Sequence, residues 1–304
     1  MNQFDVIGIG GATVDHLNIV EKFPEKDQKV IPIKSSIQGG GQAANAIACL
    51  ARLGAKTGMI GTVGKGPVGQ FAIDSLKEEG VETGCMVVQE GRAPALSSII
   101  IEKDKGSRTI IADRGDLEEF VICDENYELI KNAKIVHSDA HFPEANLELV
   151  KFAKDQGVKI CIDSEPHTPH SEEFVKYADY LIVSRSFVEA KFGQDYEKAL
   201  NDFIEMGAEI AIVTLGKYGA CGLQKGDKQC TSIPEYDVGP VVDTTGAGDV
   251  FHGAFLYGIL QEWDFKKNMM FANVCAGMKC KFLGGRLGMP KFGDALKNLE
   301  DWKL

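Results

Sequence analysis

The sequence predicts an α/β protein with a mainly parallel central sheet, helices on both its faces, and a small antiparallel β lid. Three observations carry that expectation. Short apolar runs of strand length alternate with helical patterns along most of the chain, as in "EANLELVKFAKDQG" and "YEKALNDFIEMG". Strands that alternate with helices build a parallel sheet covered on both faces. Glycine turns stand where strand patterns give way to helix patterns. Finally, "KVIPIKSSIQ" and "ALSSIIIEKDKGSRTIIA" look like strands with no helix between, and the second holds a hairpin signal at "KDKGS".

In order, "FDVIGIGG" is a buried strand running into a glycine turn. "GGGQAANAIACLARLGA" is a glycine turn and then a helix ended by Gly54. "KTGMIGTVG" is a strand, and "PVGQFAIDSLKEEG" a helix with Pro67 at its start and Gly80 at its end. The later strands are "KIVHSDA", "VKICIDSE", "DYLIVS" and "EIAIVTLG". The lid segments are placed at 30–38 and 95–112. The chain has no long linker, low-complexity segment or evident repeat, so residues 1–304 are expected to form one domain.

Composition bounds the function. The 304 residues are 44% hydrophobic and 25% charged, an ordinary globular mixture. The net charge of −11 and the lack of a basic run argue against nucleic acid as a partner. Backbone amides at a helix start bind small anions without net positive charge, so an anionic ligand stays open. Eight cysteines, none in a CxxC pair, read as reduced thiols. The start "MNQFDVIGIGG" shows no signal peptide, and no apolar run reaches membrane-spanning length. A cytoplasmic protein with no membrane partner is the expectation.

The chemistry concentrates in "DTTGAGDVFHGAF", Asp243 to Phe255. Gly246 and Gly248 allow positive φ and close approach to the backbone. Apolar residues then recur at Ala247, Val250, Phe251, Ala254, Phe255 and Ile259, the spacing of a helix. The turn thus offers free amides at a helix N-terminus, which is an anion site. Asp249 falls in the first turn, where the helix dipole favours a carboxylate. An anion site beside a carboxylate suits phosphoryl transfer: the amides hold the phosphoryl charge and the carboxylate takes a hydroxyl proton. For this stretch alone, a plain helix cap with a structural Asp is the commoner reading, since glycine turns before helices are common.

Other motifs decide between the two. "DTTGAGDVFHGAF" resembles the C-terminal signature of the ribokinase-like (PfkB) carbohydrate kinases, and "IQGGGQAANAIACLARLGA" resembles their N-terminal signature. "GIGGATVDHL" resembles the family's opening strand and sugar-binding Asp, and "VTLGKYGA" its nucleotide-side turn. All four occur in family order. "DSEPHTPHSEEF" and "KCKFLGGRLGMP" look most like the branch with ketohexokinase and the sulfofructose kinases.

The resemblance implies a ribokinase-like fold and an ATP-dependent sugar kinase acting on a ketohexose or ribose, with Mg²⁺. It implies Asp249 as catalytic base and Gly246, Ala247 and Gly248 as the anion hole. Asp15, Gly40, Gly41 and Asn45 match sugar-contacting positions, and Gln42 stands where relatives often carry Lys or Asn. Thr214, Gly216 and Gly219 match the nucleotide shelf, and Asn273 a polar contact near the adenosine. Asp243, Thr245, Gly284 and Gly288 match a monovalent-cation site, which implies K⁺. Where many members carry NxxE for the magnesium-water network, this chain has "SRSF", so only Ser184 is kept on the nucleotide side and the metal is expected to arrive on ATP. Asp163 and Glu165 are nearby sources of acidity. Lids of such proteins expose apolar faces that pair subunits, so a homodimer through the lid is expected.

Rival readings stay open. "HSDAH" and "HTPH" set His137, His141, His167 and His170 near carboxylates, but in no defined metal-ligand spacing; His141, at a strand end, is assigned to the sugar cleft. His252 lies one turn after Asp249 and either tunes that acid or packs. Arg286 of "GGRLG" is either a phosphate contact or a surface residue. "VIGIGGATVD" imitates a dinucleotide fingerprint but has Thr13 at the third glycine, and no GxxxxGK[ST] occurs. A nucleoside or sugar-phosphate kinase of the same fold and a non-catalytic sugar or nucleotide sensor are the alternatives.

Overall fold

The computed structural model describes residues 3–103, 106–164 and 169–303. Asp104 and Lys105 of the expected hairpin turn, together with Glu165 and His167, lie outside the described residues. The strands in chain order are β1 (Phe4–Ile9), β2 (Thr13–Val20), β3 (Lys34–Gly40), β4 (Thr57–Gly64), β5 (Met86–Gln89), β6 (Leu96–Glu102), β7 (Arg108–Asp113), β8 (Ala133–Ser138), β9 (Lys159–Ser164), β10 (Tyr180–Ser184), β11 (Ile210–Thr214), β12 (Ala220–Gln224) and β13 (Thr231–Ile233). The helices are α1 (Gln42–Leu53), α2 (Pro67–Lys77), α3 (Asp124–Lys131), α4 (Pro143–Asp155), α5 (Pro169–Val175), α6 (Arg185–Phe192), α7 (Tyr196–Glu205), α8 (Ala247–Leu260), α9 (Phe265–Lys279) and α10 (Phe292–Asp301).

Nine strands form one sheet in the order β13-β12-β11-β10-β9-β8-β1-β4-β5. It is parallel from β10–β11 across to β5, and antiparallel only at β11–β12 and β12–β13. Period-2 side chains divide its apolar residues between two cores. Val6, Ile135, Ile182 and Ile212 face the side of α1, α8 and α9, while Ile7, Ile9, Val136, Leu181 and Val213 face the other helices. The chain leaves β1 for β4 on one side and later returns to place β8 on the other. The strand ends at β1 and β8 therefore flank a topological switch point, the usual ligand crevice of such sheets.

The second sheet has four strands, β3-β2-β6-β7. It differs from the sequence expectation in two ways. Thr13–Val20 is a strand of this sheet, paired antiparallel to β3 and parallel to β6, and does not simply prolong the turn after "FDVIGIGG". The glycines after Ile9 break the main-sheet strand and let the chain cross over. The first expected lid segment also starts late: β3 begins at Lys34, and residues 30–33 are outside it.

Helices α1 and α8 pack side by side against the sheet. Their approach is set by Gly253, where an added Cβ would lie 2.5 Å from the Ala46 carbonyl oxygen and 2.9 Å from the Cys49 Cβ. Any side chain there pushes the two helices apart. Gly253→Val is expected to lower unfolding stability by about 1–3 kcal/mol, read from urea denaturation at neutral pH, and to lower activity beyond what the folded fraction accounts for.

Candidate active site

Gly246 caps α8 in the left-handed region at φ 76°, ψ 4°, and a Cβ there would meet the Gly285 Cα at 2.7 Å. Only glycine satisfies both demands. Gly248 differs from the sequence expectation: it is not among the positive-φ residues, and a Cβ on it would meet nothing within 4 Å. The backbone turn is made at Gly246, and Gly248 is already in the helix with open space before it. Ala247, Gly248 and Asp249 form the first turn, whose amides lie at the positive end of the helix dipole.

Asp249 Oδ2 accepts a 2.7 Å hydrogen bond from the Asn45 side-chain amide, from α1. The other end of that amide is also held: Asn45 Oδ1 accepts from Arg286 Nε at 3.0 Å. With its oxygen taken by a guanidinium, the Asn45 side chain must present its NH₂ to Asp249. Arg286 is buried and reaches Ser75 Oγ at 2.8 Å and the Gly40 carbonyl at 3.5 Å. Burial pushes its pKa down to about 10, which leaves it a cation at neutral pH. The surface alternative for Arg286 is thus ruled out, and its side chain acts through Asn45.

Asp15 lies on β2, opposite Gln38 of β3 and Ser97 of β6, so it belongs to the small sheet. It is buried, accepts from Thr13 Oγ1 at 3.3 Å, and has its pKa raised by burial. Gly40 faces it so closely that a Cβ would touch the carboxylate at 2.4 Å. Gly41 and Gln42 follow at the start of α1. Sequence reasoning passed over Asp139, just beyond β8. Its Oδ2 accepts from the amides of Gly11 at 3.2 Å and Ala43 at 3.1 Å, and its Oδ1 from the His141 amide at 2.9 Å. One buried carboxylate thus ties the β1 turn, the start of α1 and the His141 loop together. His141 is partly exposed beside Gly11, on the same rim.

Of the residues expected on the nucleotide side, Ser184, Thr214, Gly216 and Gly219 lie at or just after the ends of β10 and β11. Ser184 ends β10 and caps α6, accepting from the Phe187 amide at 3.2 Å, while Phe187 is buried in the core. Both are committed to the fold where NxxE would stand. Thr214 ends β11 and bonds the Val183 carbonyl at 3.4 Å. Gly216 and Gly219, at φ 60° and 84°, bound the turn into β12. Asn273 lies apart from these on α9, and its amide donates to the Met269 carbonyl of its own helix at 3.1 Å.

Two further features were not legible in the sequence. Arg108, at the start of β7, donates to Thr244 Oγ1 at 2.7 Å, so the small sheet touches the "DTTGAGD" turn. Beneath Asp249, His252 Nε2 lies 3.4 Å from Asp163 Oδ1, and the His137 and His252 rings are 5.4 Å apart. Of the histidines grouped by sequence that lie among the described residues, only His137 joins this cluster; Cys161 completes it, with ligand atoms all within 4.8 Å of one another. His137 has both ring nitrogens buried without a partner. Burial lowers the His137 pKa to about 4 and holds that of His252 well below the usual value, so both are neutral at pH 7.

The chain matches the model of the pfkB family carbohydrate kinases over residues 3–291. An uncharacterized sugar kinase of Archaeoglobus fulgidus is 30% identical over 81% of this chain and 99% of its own length. A ribokinase of Lactococcus lactis is 27% identical over 97% of both chains, and a ketohexokinase of Mus musculus is 24% identical over 93% of this chain and 98% of its own. Among solved structures, one of a putative ribokinase from Agrobacterium tumefaciens superposes with a TM-score of 0.90 at 26% identity, covering 98% of each chain. Arabidopsis thaliana ribokinase complexed with ribose and ATP superposes at 0.85 with 22% identity, covering 98% of this chain and 99% of its own.

The histidine cluster sets a pH dependence. The pKa of His137 is depressed in the folded state, so the unfolded chain takes up the proton first. Its contribution is fully present above about pH 6.5 and is lost as the pH falls toward about 4. Between pH 7 and pH 5 the loss is expected to be about 2 kcal/mol for this one residue. Urea denaturation at both pH values checks it, and the loss should shrink in His137→Leu.

Proposed function

The chain belongs to the pfkB family of carbohydrate kinases, and from that membership we propose that it transfers the γ-phosphate of ATP to a hydroxyl of a ketohexose or of ribose. The observation that carries the proposal is the Asn45–Asp249 hydrogen bond, which holds a carboxylate beside the open first turn of α8. The sugar lies between the small sheet and the ends of β1 and β8. Asp15, Asn45, Gln42, His141 and the backbone at Gly40 and Gly41 meet its hydroxyls. The nucleotide lies along Ser184, Thr214, Gly216 and Gly219, with Asn273 on the far side.

In the reaction, a sugar hydroxyl oxygen attacks the γ-phosphorus as its proton passes to Asp249. The bond from phosphorus to the β–γ bridging oxygen breaks, and ADP leaves with that electron pair. The amide of Gly248, in the first turn of α8, faces the charge that grows on the phosphoryl oxygens, while that of Ala247 donates to the Thr244 carbonyl at 3.2 Å and closes the turn. Mg²⁺, when carried by ATP, would supply charge neutralisation on the phosphates; Ser184 and Phe187 would give it no NxxE pair, because they are spent on cap and core. The small sheet closes over the sugar and excludes water, and Arg108 at Thr244 is its latch. At the corner where K⁺ is expected, the buried Lys279 ammonium bonds the Asp243 carbonyl at 2.8 Å.

Relatives named ribokinase and ketohexokinase support both candidate sugars. The eight unpaired cysteines support a cytoplasmic place of work. Ile37 and Ile111 leave apolar surface exposed on one face of the small sheet, and a second copy of this chain is the occupant we propose for it.

In a coupled ADP-release screen over pentoses, ketoses, sugar acids, sugar phosphates and nucleosides, the best substrate is expected to be a ketohexose or ribose. With it, Asp249→Asn lowers kcat by about 10² or more while ATP still binds by calorimetry. Near-normal turnover would remove Asp249 from the mechanism. By light scattering the protein is expected to be a dimer, and Ile37→Glu with Ile111→Glu to make it a monomer.

A further inference from the structure

We infer that the Lys279 ammonium is the resident cation of the turn that leads into α8, standing where the family resemblance implies K⁺. The inference rests on the kinase reading of that turn. Lys279 is the last residue of α9 and is fully buried. A lysine is almost never buried to this degree unless it is paired. Its Nζ donates to the main-chain oxygen of Asp243 at 2.8 Å. Asp243 is itself fully buried, and its carboxylate supplies the compensating charge.

The rest of the expected cation site is built around this pair. Asp243 Oδ1 accepts from the Thr245 amide at 2.9 Å and the Thr245 hydroxyl at 2.7 Å, and Oδ2 accepts from the Gly284 amide at 2.8 Å. The Asp243 amide donates to the carbonyl of Cys280, the neighbour of Lys279, at 3.2 Å. Gly288 abuts the Lys279 carbonyl, which a Cβ there would meet at 2.5 Å. Asp243, Thr245, Gly284 and Gly288 are thus each tied to Lys279 or to the residue it bonds. A bare monovalent ion would have to displace an ammonium from the Asp243 carbonyl and would leave that ammonium buried beside it. The residues do not fit a free K⁺.

The ammonium does for the turn what such an ion would do. A positive charge on the Asp243 carbonyl polarises the peptide that starts the Thr244–Gly246 turn and holds the amides beyond it in one orientation. An exchangeable ion provides this only when the salt supplies it. A covalently attached one provides it always, so this enzyme works without a monovalent activator.

The test compares wild type and Lys279→Ala in K⁺, Na⁺, NH₄⁺ and choline chlorides at equal ionic strength, by sugar-dependent ADP release and by thermal melting. Wild-type kcat/KM is expected to vary less than about two-fold, and its Tm not to respond to K⁺ over choline. Lys279→Ala loses about ten-fold or more in choline. K⁺ or NH₄⁺ restores most of that loss and raises the variant's Tm, because the truncated side chain vacates a place of that size and charge. K⁺-specific activation or stabilisation of wild type overturns the proposal, as does a folded variant that ignores K⁺ in both readouts. If Lys279→Ala does not fold, the wild-type comparison alone decides. Should no sugar release ADP, the kinase reading fails, and the melting curves still decide the role of Lys279.

Discussion

The contact between the Asn45 amide and the Asp249 carboxylate joins residues 204 positions apart, and the rest of the site is arranged around it. It requires α1 and α8 to lie against one another at the distance that Gly253 permits. The acceptor end of the Asn45 amide must also be occupied, and Arg286 occupies it. An amide free at its oxygen could turn either face to the carboxylate. Held by the guanidinium, it has only donors left to offer. Asp249 Oδ2 is thereby fixed in direction by an amide donor from α1.

Charge near the turn is supplied from inside the molecule. The protein as a whole carries a net charge of −11, yet two buried cations, Arg286 and Lys279, stand behind the start of α8. Each is compensated locally, Lys279 by Asp243 and Arg286 in part by the fields of Glu79 and Asp15. Glu79 is in turn paired with Arg52, whose guanidinium also bonds the carbonyls of Arg286 and Met289. The loop from Leu283 to Met289 is thus tied to α1, to Gln38 of β3 and to Asp243 by polar contacts. Buried networks of this kind are costly when half satisfied and rigid when complete.

The small sheet is more than a cover. It carries Asp15 on β2 and Gly40 at the end of β3, and Arg108 of β7 reaches the turn before α8. Asp15, Gly40 and the Arg108 guanidinium are therefore carried on one sheet and fixed relative to one another.

The sequence by itself determined the α/β alternation, the two-sheet plan, the anion turn and Asp249 within it. Those features follow from local chemistry: period-2 and period-3.6 apolar patterns, glycine's access to positive φ, and the free amides of a helix start. Local chemistry did not separate Gly246, which makes the turn, from Gly248, which does not. Nor did it detach Thr13–Val20 from the first strand, because two glycines mark a break without saying where the chain goes next. Only the tertiary structure decided that Asn45 meets Asp249, that Asp139 ties three segments, that Arg286 is buried, and that Lys279 bonds the Asp243 carbonyl. Each of these joins segments far apart in the chain. Their distances depend on how two helices and a loop close on the sheet, and no window of sequence contains that geometry.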